Sequence, residues 1–125
     1  MRFFFKNQTI FAIAAFTLAG AAEAGEGQKL SVSEARAALA GGTFDCTMSG
    51  GVVFRLFFPD EIGVDQIDYR FRLAGETDRR PMTYRIEGEI LVSARDGEER
   101  VVYDLGGGDV RIARPGEDGA VCRRG

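Results

Sequence analysis

Thr43-Phe44-Asp45-Cys46-Thr47-Met48-Ser49-Gly50-Gly51-Val52-Val53-Phe54-Arg55-Leu56-Phe57-Phe58 is the stretch that decides the fold of this chain. Phe44, Cys46 and Met48 alternate with Asp45 and Thr47, then Val52, Phe54, Leu56 and Phe58 resume after Ser-Gly-Gly. A period of two with a glycine break is the pattern of two half-buried strands joined by a tight turn. A three-residue turn over Ser49 to Gly51 sets Cys46 opposite Phe54, Phe44 opposite Leu56 and, outside them, Asp45 opposite Arg55. A two-residue Gly50-Gly51 turn would oppose Cys46 with Arg55 and mix the two faces, so the three-residue turn is expected.

The same alternation continues downstream. Ile67, Tyr69, Phe71 and Leu73 form one apolar face, followed by Met82, Tyr84 and Ile86, then Ile90 and Val92, then Val101, Tyr103 and Leu105, then Val110 and Ile112, and last Ala120 and Cys122. Glycine, proline and aspartate clusters separate nearly all of these runs. A two-residue Asp96-Gly97 turn would set Val92 opposite Val101 and Ile90 opposite Tyr103, which keeps both sets facing inward. Eight antiparallel strands follow, and at this size a sheet removes its two edges by closing into a small barrel, with a two-sheet sandwich as the alternative.

Upstream of the strands, Ser31-Val32-Ser33-Glu34 carries a capping box, and Gly41 can take the left-handed position after Ala40. One short helix fits between them. Val32, Ala35 and Leu39 give it a narrow apolar stripe, suited to capping one end of a larger element. The fold expected is therefore mainly β, with one short N-terminal helix.

The first 24 residues have another purpose. Arg2 and Lys6 precede the apolar run Ile10 to Ala22, which ends in Ala22-Glu23-Ala24, the small-x-small pattern that a signal peptidase cuts. A membrane-spanning helix needs ~20 apolar residues, more than this run supplies, so residues 1–24 are expected to be a cleaved leader and no transmembrane anchor is expected after processing. Residues 25–30 are expected to be a mobile segment, and 31–125 a single domain, periplasmic or secreted and monomeric. In an oxidising compartment Cys46 and Cys122, the only cysteines, are expected to bond to each other, the first on the first strand and the second on the last.

Removing Arg2, Lys6 and Glu23 leaves 14 basic and 18 acidic residues, so nucleic acid is not expected as a partner. The chain has no His and no Trp, which removes Ser-His and Cys-His nucleophile activation and His-bearing zinc sites. An enzyme built on this chain would have to work with carboxylates, as a hydrolase dividing acid and base roles between groups such as Glu87 and Glu89. Asp60, Glu61 and Asp65 lack the spacing of a calcium loop. Gly106-Gly107-Gly108-Asp109 has no Lys-Ser/Thr and no helix after it, so it reads as a hairpin turn rather than a phosphate loop. Neither a cofactor nor a metal is expected, and the function expected is that of a non-enzymatic binding or accessory protein whose partner is a protein or a small molecule.

Two surfaces are candidates for that binding. Arg70 and Arg72 project from the outer face of one strand and Arg85 from the next, with Arg79 and Arg80 in the loop between, and five guanidinium groups make a possible anion or partner surface. The competing account is cross-strand compensation, with Asp68 opposite Arg85 or Arg70 opposite Glu87. Inside, Phe54, Tyr69, Phe71 and Tyr84 would line a cavity or fill a core, and Tyr103 is expected on the same inward face.

Phe44-Asp45-Cys46, Gly50, Phe54 and Phe58, with Ala120-Val121-Cys122 at the far end, resembles the outline of the periplasmic inhibitors of c-type lysozyme. That resemblance implies an eight-stranded barrel and a protein partner. It covers the two ends of the domain only, and the Ser-Gly-x-Gly-x-Arg-Tyr type of loop with which that family engages lysozyme is absent, Ser49-Gly50-Gly51 being too short and differently placed.

Overall fold

The computed structural model describes residues 27–125; the leader read from residues 1–24 lies outside the described residues. Nine strands and one helix follow in the order β1 (Gln28–Lys29), α1 (Val32–Leu39), β2 (Thr43–Met48), β3 (Val53–Phe57), β4 (Gln66–Leu73), β5 (Arg80–Glu87), β6 (Ile90–Ser93), β7 (Glu99–Gly106), β8 (Asp109–Ala113) and β9 (Ala120–Arg124). Each strand from β2 to β9 pairs antiparallel with the next, and β9 returns to pair with β2, so eight strands close a barrel and the sandwich is set aside.

The first hairpin has the register its alternation requires, with Cys46 opposite Phe54, Phe44 opposite Leu56 and Asp45 opposite Arg55. Gly51, at φ 88°, makes the three-residue turn possible because a side chain is strained in that region. At the closing seam Cys46 is the direct cross-strand partner of Cys122, and the two are joined by a disulfide across a separation of 76 residues.

Helix α1 starts on the expected capping box: Ser31 Oγ accepts from the Glu34 amide at 3.1 Å, and Glu34 Oε1 accepts from the Ser31 amide at 2.9 Å. Ala35 and Leu39 are buried in the barrel core, so the helix plugs one end. The Arg36 guanidinium donates to the Ile62 carbonyl, and Arg124 donates to the carbonyls of Ala38 and Ala40, which fastens the helix to the β3–β4 loop and to the seam.

Two expectations are corrected. Residues 28–30, read as part of a mobile segment, are hydrogen-bonded to β7: Gln28 pairs with Asp104, Lys29 with Tyr103, and the Leu30 amide donates to the Val102 carbonyl. The cause lies in the short β6, which pairs with Arg100 and Glu99 only and leaves the rest of that β7 edge open for β1.

The second correction concerns the β6–β7 hairpin. Its turn is four residues, Ala94 to Gly97, with the Ser93 amide donating to the Glu98 carbonyl, so Val92 stands opposite Glu99 rather than Val101. Leu91 and Val102 enter the core, and Tyr103 lies on the outer face beside Arg111, whose guanidinium sits 3.9 Å from its ring centre. Ile90-Leu91-Val92 and Val101-Val102-Tyr103 are continuous apolar runs rather than alternating ones, and the inward phase read for Ile90, Val92, Val101 and Tyr103 is replaced by the opposite one that the four-residue turn imposes. Val92, Val101 and Ala113 are buried as well, outside the barrel wall. Over that side folds the loop between β8 and β9: Arg111 donates to the carbonyls of Glu117 and Asp118, and Gly119 presses on Ile112 and Ala113.

Candidate functional site

The interior is occupied by rings. Phe44 meets Phe58 edge-on at 5.9 Å, Phe58 stacks on Tyr69 at 4.9 Å, and Tyr69 meets Tyr84 at 4.7 Å. Of the four side chains proposed to line a cavity, Tyr69 and Tyr84 belong to this chain of contacts, while Phe54 and Phe71 pack on each other at 5.1 Å and are half-buried. Burial pushes both phenols up, and the two hydroxyls also hydrogen-bond to one another. Contacts of this kind are those of a filled core.

At the end of the barrel opposite α1, the turn after β6 holds an ion-pair network. Asp96 accepts from Arg100 at 2.6 Å and from the Glu98 amide at 2.9 Å, and Arg114 bridges Asp96, Glu98 and Glu117. The Arg100 hydrogen bond, with that amide behind it, lowers the Asp96 carboxyl to about 2. Asp68 is also lowered, by its hydrogen bonds from Thr83 and Gln66. Glu87 accepts from Arg85 at 3.0 Å beside the Gly88 turn, and Glu89 is exposed on the other side of that turn. A general acid needs a carboxyl raised toward neutrality, and both displaced carboxylates move the other way.

The Asp96 network gives a pH prediction. The folded carboxyl titrates below its unfolded value of ~3.9, so its stabilisation is present above pH ~4 and is lost as the pH falls through about 2. Asp96→Asn is expected to lower the unfolding free energy by about 1 kcal/mol at pH 7, with the gap to wild type closing by pH 2. Urea titrations at both pH values check this; a gap that persists at pH 2 would assign the loss to packing.

The outer face of β3, β4 and β5 gathers the other candidate. Arg72 lies opposite Arg55, Arg70 opposite Phe57 and Pro81, Asp68 opposite Thr83, and Gln66 opposite Arg85. The expected compensation of Arg70 by Glu87, or of Arg85 by Asp68, is therefore not made. Arg85 pairs instead with Glu87 on its own strand, and Arg80, whose position in the alternation is inward at the rim, pairs with Glu76 at 2.8 Å.

The remaining three arginines converge. The Arg79 guanidinium lies 3.9 Å and that of Arg72 5.5 Å from the centre of the Phe57 ring, and Arg70 donates to the Arg79 carbonyl at 3.5 Å. Among the described residues none of the three forms an ion pair with a carboxylate, whereas Arg55, their neighbour, is held by Asp45 at 2.6 Å. Phe57 is the member of this cluster that alternation alone did not single out. It occupies an outward position in an apolar pair with Phe58, and an outward aromatic between arginines was the available signal.

No protein-family model, curated protein or solved structure matches this chain. Fold and surface define the class: a closed eight-stranded antiparallel barrel with a helical plug, a seam disulfide and an arginine cluster on its outer wall.

Proposed function

We propose that this chain is an exported, non-enzymatic binding protein of the bacterial periplasm whose outer face at Arg70, Arg72 and Arg79 engages an anionic partner. The observation that carries the proposal is the cluster itself: the Arg72 and Arg79 guanidinium groups lie over Phe57, Arg70 donates to the Arg79 carbonyl, and no carboxylate is ion-paired to any of the three among the described residues. Like charges gathered on one sheet face without carboxylate partners oppose folding, and a local conflict of that kind is expected where a surface serves recognition. The leader read in residues 1–24 and the disulfide, which suits an oxidising compartment, support export.

The test is calorimetric binding of a soluble polyphosphate at low ionic strength. Wild type is expected to bind with an affinity that falls as salt rises, and the triple variant Arg70→Gln/Arg72→Gln/Arg79→Gln to bind about tenfold more weakly or worse. Arg80→Gln and Arg85→Gln, each removing an arginine already paired with a glutamate, are expected to stay within about twofold of wild type. Equal binding by the triple variant would overturn the proposal.

A further inference from the structure

Five large apolar side chains stand out in water among the described residues, and three of them crowd onto one hairpin: Met48, Val52 and Val53, at 42, 48 and 45 % exposure, flank the tip Ser49-Gly50-Gly51. The tip of the next hairpin lies beside it, since the Ala74 amide donates to the Val53 carbonyl. Two positions further along the same outer faces come Arg55 on β3 and Arg72 on β4, with Arg79 reaching back over Phe57. At ~3.3 Å per residue, Val53 stands about 7 Å along the strand from the Arg55–Arg72 pair and about 13 Å from Phe57, over which the Arg72 and Arg79 guanidinium groups lie. An open groove of about 220 Å³ is lined by Val53, Arg55, Arg72 and Gly75. Of the acids at its margin, Asp45 is held by Arg55 and Glu76 by Arg80.

Resting on the anion-binding reading above, we infer that the partner is the surface of an anionic lipid bilayer, with the Met48–Val53 tip entering the acyl boundary and Arg70, Arg72 and Arg79 meeting headgroup phosphates. Interfacial segments bury apolar groups ~5–10 Å into that boundary while their basic residues stay at the headgroups, and this hairpin has the same order, an apolar tip leading and the guanidinium groups set back along the strand. Sites for a folded protein place the apolar patch at the centre and the charges around it, whereas here the apolar residues are at the extremity and the charges lie along one side. The bilayer therefore fits the arrangement better than an acidic protein.

Vesicle flotation tests this with protein recovered from the periplasm of the expressing cell, its first residue confirmed by mass. Vesicles of equal parts phosphatidylglycerol and phosphatidylcholine are expected to bind at least about tenfold more strongly than phosphatidylcholine alone. Val52→Ser/Val53→Ser is expected to weaken binding to the anionic vesicles about tenfold and to leave polyphosphate affinity unchanged, because the serines remove apolar area and no charge. Arg72→Gln/Arg79→Gln should weaken both. Polyphosphate binding without preference for anionic vesicles, or vesicle binding indifferent to the serine pair, overturns the bilayer and leaves the arginine site for an acidic protein. Loss of both activities in wild type removes the anion-binding reading as well.

Discussion

Reducing the Cys46–Cys122 bond, or replacing both cysteines by serine, is expected to lower the thermal unfolding midpoint by roughly 20 °C. The bond closes a loop of 76 residues in separation, nearly the whole barrel, and the chain-entropy relation gives about 4.5 kcal/mol for a loop of that length. In a domain this small each kcal/mol moves the midpoint by about 4–8 °C, and strain or structure in the unfolded chain trims the total. Its position matters as well as its length. β2 and β9 are the first and last staves of the barrel, and the disulfide holds the pairing that is most distant in sequence. Such pairings are the slowest to form, because the loop must close before any of its contacts can contribute. Five residue pairs across the seam remain after reduction, so the reduced protein should still close, at a lower midpoint. Scanning calorimetry with and without reductant decides the matter. A shift of under about 5 °C would show that seam pairing and the core already confine the ends.

Legibility in this sequence follows the clarity of the alternation. β2, β4 and β5 each carry one apolar and one mainly polar face, and there the inward residues follow from a period of two; the β2–β3 register follows as well from the three-residue turn, whereas the β4–β5 register, with Asp68 opposite Thr83 and Arg70 opposite Pro81, does not. β6 and β7 carry no such pair of faces. Where three consecutive apolar residues stand together, one phase turns the outer two inward and the other only the middle one; the structure takes the second, with Leu91 and Val102 in the core, because the four-residue turn at Ala94 to Gly97 shifts the register. The arginine surface was legible as a set of residues but not as a site. Strand alternation places Arg70, Arg72 and Arg85 on one face, yet their separation into a free trio and two neutralised members depends on register and on loop side chains. Glu76 reaches Arg80 and Glu87 reaches Arg85, and neither pairing is written in strand periodicity.

Phe44→Ala is expected to cost about 3–5 kcal/mol, the range for deleting a buried aromatic, which is a large share of the ~5–10 kcal/mol such a domain has in total. Phe44 is fully buried at the junction of three parts of the fold. It is the first core residue after helix α1, it meets Phe58 at the start of the β3–β4 loop, and the Arg124 guanidinium of the seam strand lies 5.4 Å from its ring centre. Gly42 runs so close against the ring that any side chain at 42 would overlap it. Each of these neighbours is pinned independently: the Gly41 amide donates to the Pro59 carbonyl, the Phe58 amide to the Gly42 carbonyl, and Arg124 to the helix end. A cavity left by the ring has little freedom to collapse, and uncollapsed cavities account for the upper end of the range. Phe44→Leu keeps most of the volume and is expected to cost about 1–2 kcal/mol. Urea titration of the two variants under oxidising conditions separates the contributions, since the disulfide is retained in both. A cost below about 1 kcal/mol for Phe44→Ala would mean that the helix can settle into the space, and the plug would then be a movable cap rather than a fixed end of the barrel. In that event the end of the barrel away from the arginine-bearing hairpins would be the part free to open, and the Phe58–Tyr69–Tyr84 column behind Phe44 would be what keeps the interior closed.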